Sequence, residues 1–253
     1  MKKTFLLSCL MLAAMPVMAA YTGRVYVDKN KNGVFDPGEK TWAGIKVSDG
    51  LNVVETAADG SFTLPGHERE RFIFITTPSG YKTFNRHYHK IEEKQSGYDF
   101  GLIPYSGRIR KDGSHRYIHI ADTEIFNTEN HEDWVNNVRD YARNEQAAFI
   151  IHTGDICYEK GLKAHIKLMN TENMDCPVFY CIGNHDLVKG KYGEELFESI
   201  YGPVYYSFDA GNVHYVVTPM PGGDHAPGYT SDDVCRWLKN DLAHIRPGTP
   251  VVV

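Results

Sequence analysis

From Tyr21 to about Ser106, short runs of β-forming residues alternate with polar breaks. "GRVYV", "GIKVSD", "NVVETA", "SFTLP" and "RFIFITTP" read as strands, and "DKNKNG", "DPGE", "SDGLN", "ADGS" and "TPSG" as the turns between them. That pattern predicts a small all-β sandwich over 21–106. From about Gly107 the periodicity changes. "RYIHIAD", "AFIIHTGD" and "CPVFYCIGNHD" are apolar runs that each end in polar residues, with helix-sized segments between them. "HEDWVNNVRDYARNEQ" places Trp134, Val138, Tyr141 and Ala142 on one helical face. "SDDVCRWLKNDL" does the same with Val234, Trp237, Leu238 and Leu242, Ser231 serving as cap and Asp232 and Asp233 lying in the first turn. Strands alternating with helices predict an α/β layer over 107–253, with the boundary near 105–112. The chain closes on "TPVVV", which reads as the opening of a buried strand.

The first 20 residues stand outside this scheme. Lys2 and Lys3, an apolar run and small residues near Ala19 and Ala20 form a secretory signal, so the mature chain is expected to be exported, periplasmic or extracellular. A membrane anchor is the alternative, but the apolar run is short for a span and no later stretch reaches that length. Without the two lysines the formal charge moves from −5 to −7, which argues against nucleic acid or an acidic membrane surface as partner. Cys157, Cys176, Cys181 and Cys235 remain, without zinc-ribbon spacing and without a readable pairing.

"DKNKNGVFDPGE" is the first chemical motif. Asp28, Asn30, Asn32, Asp36 and Glu39 fall at positions one, three, five, nine and twelve of a calcium loop. Gly33 sits at the sharp turn and Val34 offers its carbonyl at seven. The flanks read as strands, so a bound calcium would be structural. The alternative is a polar Asn/Asp-rich turn.

The second chemical feature is the set of polar strand ends: "ADTE" (121–124), "TGDICYE" (153–159) and "GNHD" (183–186). In an open α/β sheet, ligands bind beyond the carboxyl ends of the strands. Asp122, Asp155 and Asn184–His185 would converge there, and carboxylates, an amide oxygen and imidazole suit one or two cations such as Mn, Fe or Zn. Gly154 and Gly183 let the backbone turn sharply. His119, His152 and His214 lie within strands and read as structural. His225, in "PGGDHAPGY", has the reach to approach a substrate, while Tyr158 and Glu159 read as ordinary loop polars.

At these residues the chain resembles the calcineurin-like metallophosphoesterases, whose motif series runs D-x-H or D-x-Q, then GD, then GNH with an acidic residue. The resemblance covers about 110–253, including "YYSFDAGNVHYVVTPM" and "WLKNDL", and "GNHD" is its most specific part. It implies a four-layer αββα sandwich preceded by the β domain, as in two-domain exported bacterial phosphoesterases. It also implies a dinuclear site for phosphate mono- or diesters. Asp122 would ligate the first metal, Asp155 would bridge both, and Asn184 would ligate the second. His185 would donate a proton to the leaving group, with Asp186 holding its ring. Two divalent cations about 3.5–4 Å apart activate water for in-line attack in such sites.

Two departures accompany the resemblance. Glu124 stands where the family has His or Gln, so it either ligates as a carboxylate or points away. The family also continues past "WLKNDL" with a strand ending in a metal-binding His and then a Gly-His-x-His segment. The expectation is therefore of a fold incomplete at its C-terminus, with very slow turnover by these 253 residues. A non-catalytic metallophosphoesterase-like fragment, or a calcium-stabilised surface or glycan-binding module, is the alternative.

Overall fold

A computed structural model describes residues 20–93, 95, 97–105 and 108–253. The segment expected to be a signal, apart from Ala20, and the junction at 106–107 lie outside the described residues. Eight strands make up the N-terminal region: β1 (Tyr21–Val27), β2 (Lys46–Ser48), β3 (Val53–Glu55), β4 (Ser61–Leu64), β5 (Phe72–Ile75), β6 (Tyr81–Thr83), β7 (Tyr88–Lys90) and β8 (Phe100–Pro104). They form two four-stranded sheets, ordered β4-β1-β8-β6 and β3-β2-β5-β7. Val25, Val47, Phe62, Leu64, Ile73, Ile75, Phe100 and Leu102 fill the space between the sheets. Apart from Phe100 and Leu102 of β8, these residues belong to the runs read from sequence. Three of the strands, β6, β7 and β8, were not read as strands there.

The remainder is α/β. In order come β9 (Arg116–Ile120), α1 (Glu132–Asn144), β10 (Ala147–His152), α2 (Tyr158–Leu168), α3 (Thr171–Met174), β11 (Val178–Tyr180), α4 (Glu195–Tyr201), β12 (Tyr206–Ala210), β13 (Val213–Val217), α5 (Ser231–Leu242) and β14 (Val251–Val252). One sheet runs β11-β10-β9, all parallel. The other runs β12-β13-β14, a hairpin with a parallel edge strand.

Strand alternation stacks these layers. Ile150, Val178 and Tyr180 join residues of α1, α2 and α4 in one apolar cluster. Phe149 and Phe179 point the other way, onto Phe208 and Tyr215. Ser207, Asp209 and His214, the opposite parity on β12 and β13, turn outward, and Asp241 of α5 meets Ser207 and His214 there. The sequence of layers is helix, sheet, sheet, helix.

Three expectations from periodicity need correction. Tyr141 is 59% exposed, and Val135 takes the buried place on α1, because the apolar stripe runs through 135, 138 and 142. Thr230, not Ser231, caps α5. Its hydroxyl accepts the Asp233 amide, while Asp233 accepts the Thr230 amide in return. Val251 and Val252 do pair with His214 and Tyr215, yet both are exposed, since β14 is an edge strand.

The two regions are fastened by polar groups as well as rings. Arg71 on the N-terminal side reaches Glu194 at 2.9 Å and Glu198 at 3.0 Å, both carboxylates being buried. Burial pushes Glu198 up to about 8, with Glu194 adding to the shift and Arg71 opposing it. Thr76 shares a hydrogen bond with Ser207 at 2.8 Å, and Lys46 stands 3.5 Å from Asp209. Among the described residues no helix is long and apolar enough to cross a membrane.

Candidate metal centre

The three polar strand ends come together through the backbone. The Asp122 amide donates to Gly154 O at 3.1 Å, joining the junction after β9 to the junction after β10. Gly154 and Gly183 touch: a Cβ on Gly154 would lie 2.4 Å from Gly183 N, and one on Gly183 would lie 2.2 Å from Asp155 N. Only glycine permits this approach, and it sets Asp155 beside Asn184–His185. The His185 amide then donates to Asp155 Oδ1 at 3.1 Å.

Backbone strain is concentrated here. Asp122, Glu124, Asp155, Cys157 and Tyr158 all have positive φ, between 46° and 77°. Each such residue costs on the order of 1–3 kcal/mol and persists because neighbours over-determine it. Here His152 supplies part of that constraint. Its Nδ1 accepts the Gly154 amide at 3.2 Å and its Nε2 meets Thr123 Oγ1 at 3.0 Å, tying the first junction to the second. Burial, helped by His119, lowers His152 to about 4, so it is a neutral strut. His119 bonds Thr153 and His214 bonds two carboxylates, as the structural readings of both residues expected.

Asp186 has a different partner set from the one the resemblance implies. Its carboxylate is fully buried and accepts two amides, Cys157 N at 2.9 Å and Gly183 N at 2.9 Å. It locks the "GNHD" turn to the "GD" loop rather than holding the imidazole. The His185 ring is held by Asp224, whose Oδ2 lies 2.9 Å from Nδ1. Asp224 comes from the "PGGDHAPGY" loop, fixed by its own amide donating to Asn184 O at 3.1 Å. Gly223 is needed at that contact, since a Cβ would stand 2.3 Å from Asn184 O. The neighbouring His225 is exposed and its backbone lies against Gly193. Sequence reasoning chose the wrong member of this Asp-His pair, because nothing in a glycine-rich loop reveals which side chain turns inward.

Tyr158 flanks the His185 ring at 5.6 Å, and Glu159 turns away to Lys163 at 2.6 Å. His185 is raised above the ordinary imidazole range, first by its bond to Asp224. Burial pushes the Cys157 thiol up to about 12, with Glu124, Asp186 and Asp155 adding to the shift. One carboxylate from each junction, Glu124, Asp155 and Asp186, thus acts electrostatically on the Cys157 thiol. Among the described residues, Asp122, Glu124 and Asp155 have no Lys or Arg within ion-pair distance. Concentrated, uncompensated negative charge at a βα edge fits a cation. No three His, Cys, Asp or Glu side chains among the described residues already stand close enough to enclose one.

Residues 115–245 match the family model described as calcineurin-like phosphoesterase. The chain belongs to the calcineurin-like phosphoesterase family. Residues 29–104 match the model described as the N terminal of calcineurin-like phosphoesterase, so both regions of this family member have a counterpart. A search of curated proteins finds no match. Family membership supports a metal-dependent phosphoesterase in general terms, and the family uses divalent metals. The first β region also holds the "DKNKNGVFDPGE" loop. There Asp28 accepts the Asn32 and Gly33 amides at 3.1 and 2.8 Å. Asp36 Oδ2 accepts from Asn30 and Asn32 at 2.7 and 2.8 Å, and Glu39 accepts from Lys29 and Asp36. Val34 is exposed at the loop tip.

Proposed function

We propose that this phosphoesterase hydrolyses phosphate mono- or diesters at a dinuclear centre on the β9–β10–β11 edge. The observation that carries the reading is the backbone contact that ties the Asp122 junction to Gly154 and sets Asp155, which has no Lys or Arg partner among the described residues, beside the His185–Asp224 pair. Asp122, Glu124, Asp155 and Asn184 would be the residues to hold the cations, and Mn, Fe or Zn would suit that donor set. When bound, the cations supply Lewis acidity and a water of lowered pKa.

The chain's own residues do the rest. Asp155 aligns the "GNHD" turn through the His185 amide. Asp224 orients the His185 ring by Nδ1, leaving Nε2 to give a proton to the departing alkoxide or phenoxide oxygen. Tyr158 shields one side of the ring. Asp186 keeps the two loops in register from below.

The protein acts outside the cytoplasm, as its leader implies, and calcium at Asp28, Asn30, Asn32, Val34, Asp36 and Glu39 stiffens the β region. Release of p-nitrophenol from the mono- and bis-esters tests the reading. Turnover is expected to be slow, to depend on Mn²⁺, to stop with chelator and to vanish in Asp155→Asn. Equal rates in wild type and Asp155→Asn would favour the non-catalytic alternative.

A further inference from the structure

A second concave site lies between the two regions. It is a cleft of about 780 Å³ walled by the β6–β7 turn, the loop at Lys31 and strand β11. That volume is typical of a small-molecule pocket. Its floor is aromatic, with Phe84, Tyr88, Phe100 and Tyr180 among the lining rings.

The rim carries charge in an unusual state. Lys31, Lys82 and Arg86 line the cleft, and none of them has a carboxylate within ion-pair distance among the described residues. Lys82 Nζ instead sits 5.6 Å over the Tyr105 ring, and Arg86 donates to the Tyr88 hydroxyl at 2.8 Å. Two carboxylates, Asp99 and Glu172, also line the cleft. Asp99 already accepts the Arg24 amide at 2.8 Å. The balance is locally positive on a chain whose formal charge is −5. His87 adds an independent observation: its ring lines the cleft, and its Nε2 is buried with no hydrogen-bond partner among the described residues. A buried polar atom left without a partner is unfavourable, and a ligand group of matching polarity brought to it would relieve that cost.

We propose that this interdomain cleft binds a small amphipathic anion, with a flat ring on the aromatic floor and an acid group facing Lys31, Lys82 and Arg86. Aromatic walls hold the apolar body and the guanidinium and ammonium groups fix its orientation. None of Asp122, Glu124, Asp155, Asn184 and His185 lines the cleft, so occupancy of one site does not require the other.

Naphthalene-2-sulfonate is a non-hydrolysable probe with this chemistry, and calorimetric titration of the full chain is the measurement. The expected result is one molecule bound per chain, with affinity falling on the order of 10-fold in Lys82→Gln/Arg86→Gln and on raising salt. Neutral 2-naphthol should bind at least about 10-fold more weakly. Asp155→Asn should bind the probe as wild type does. Should the double variant unfold, Lys31→Gln on its exposed loop must show the same direction. No saturable binding, binding indifferent to both variants, or binding lost in Asp155→Asn overturns the proposal.

Discussion

Asp224 Oδ2 lies 2.9 Å from His185 Nδ1, although the two residues are 39 positions apart and belong to different loops. The pair is assembled by the Asp224 amide on Asn184 O and by Gly223 lying flat against the same backbone. In the proposed reaction the carboxylate fixes which ring nitrogen faces the leaving group.

Asp224→Asn should therefore lower metal-dependent hydrolysis by about 10-fold or more, since a positioned general acid contributes roughly 10²–10⁴. The loss should appear in kcat rather than KM, and the midpoint of thermal unfolding should barely move because both side chains are partly exposed. An unchanged kcat would remove Asp224 from the site.

Asp186→Ala should behave in the opposite way, as a stability variant. It strands two buried amides, those of Cys157 and Gly183, that the carboxylate now satisfies. The cost is about 2–6 kcal/mol, at roughly 1–3 kcal/mol for each unmet group. Denaturant unfolding would show it as a lower midpoint at unchanged slope.

The buried histidine of β13 predicts a pH dependence. His214 is almost fully buried between Asp209 at 2.7 Å and Asp241 at 2.7 Å. Burial opposes its charge, but the two carboxylate hydrogen bonds prevail and raise it to about 9. A folded value above the unfolded one, near 6.5, means the contribution is whole below about pH 6.5. It is lost as pH rises through about 9. Unfolding free energy should fall across that window by up to about 3 kcal/mol. His214→Gln should flatten that part of the profile.

Calcium predicts a shift confined to the N-terminal loop. Asp28 is fully buried and its two oxygens already bind loop amides, while Asp36 and Glu39 close the loop from the other side. Millimolar calcium should raise the melting temperature of the protein, and Asp28→Asn should cancel the rise. No shift in wild type would leave the loop a polar turn.

Much of this architecture was legible in the residue pattern. The strands of 21–75 follow from short runs of β-formers bounded by turn residues, and Gly154 and Gly183 announce where the backbone must turn. Strands β6 and β7 escaped because "YKT" and "YHK" are short and mostly polar, and pairing rather than propensity holds them; β8, "FGLIP", escaped because Gly101 and Pro104 interrupt its apolar run. Within the site, Asp122, Glu124, Asp155 and the "GNHD" turn are local features of strand ends and so appear in the sequence. The partner of His185 is not local. It depends on how the 13-residue loop between β13 and α5 folds back, and no short-range pattern carries that information. The role of Asp186 was misassigned for the same reason: adjacency in sequence suggested a ring contact, while the turn directs its carboxylate at backbone amides.

The central claim is that the uncompensated carboxylates at the β9 and β10 ends hold a divalent cation. Titration of the chain with Mn²⁺, followed by the loss of the free-ion electron paramagnetic resonance signal, tests it most directly. Saturable binding that Asp155→Asn abolishes, with naphthalene-2-sulfonate affinity unchanged, is the predicted result. Full retention of the free Mn²⁺ signal, or binding that persists undiminished in Asp155→Asn, would contradict the account.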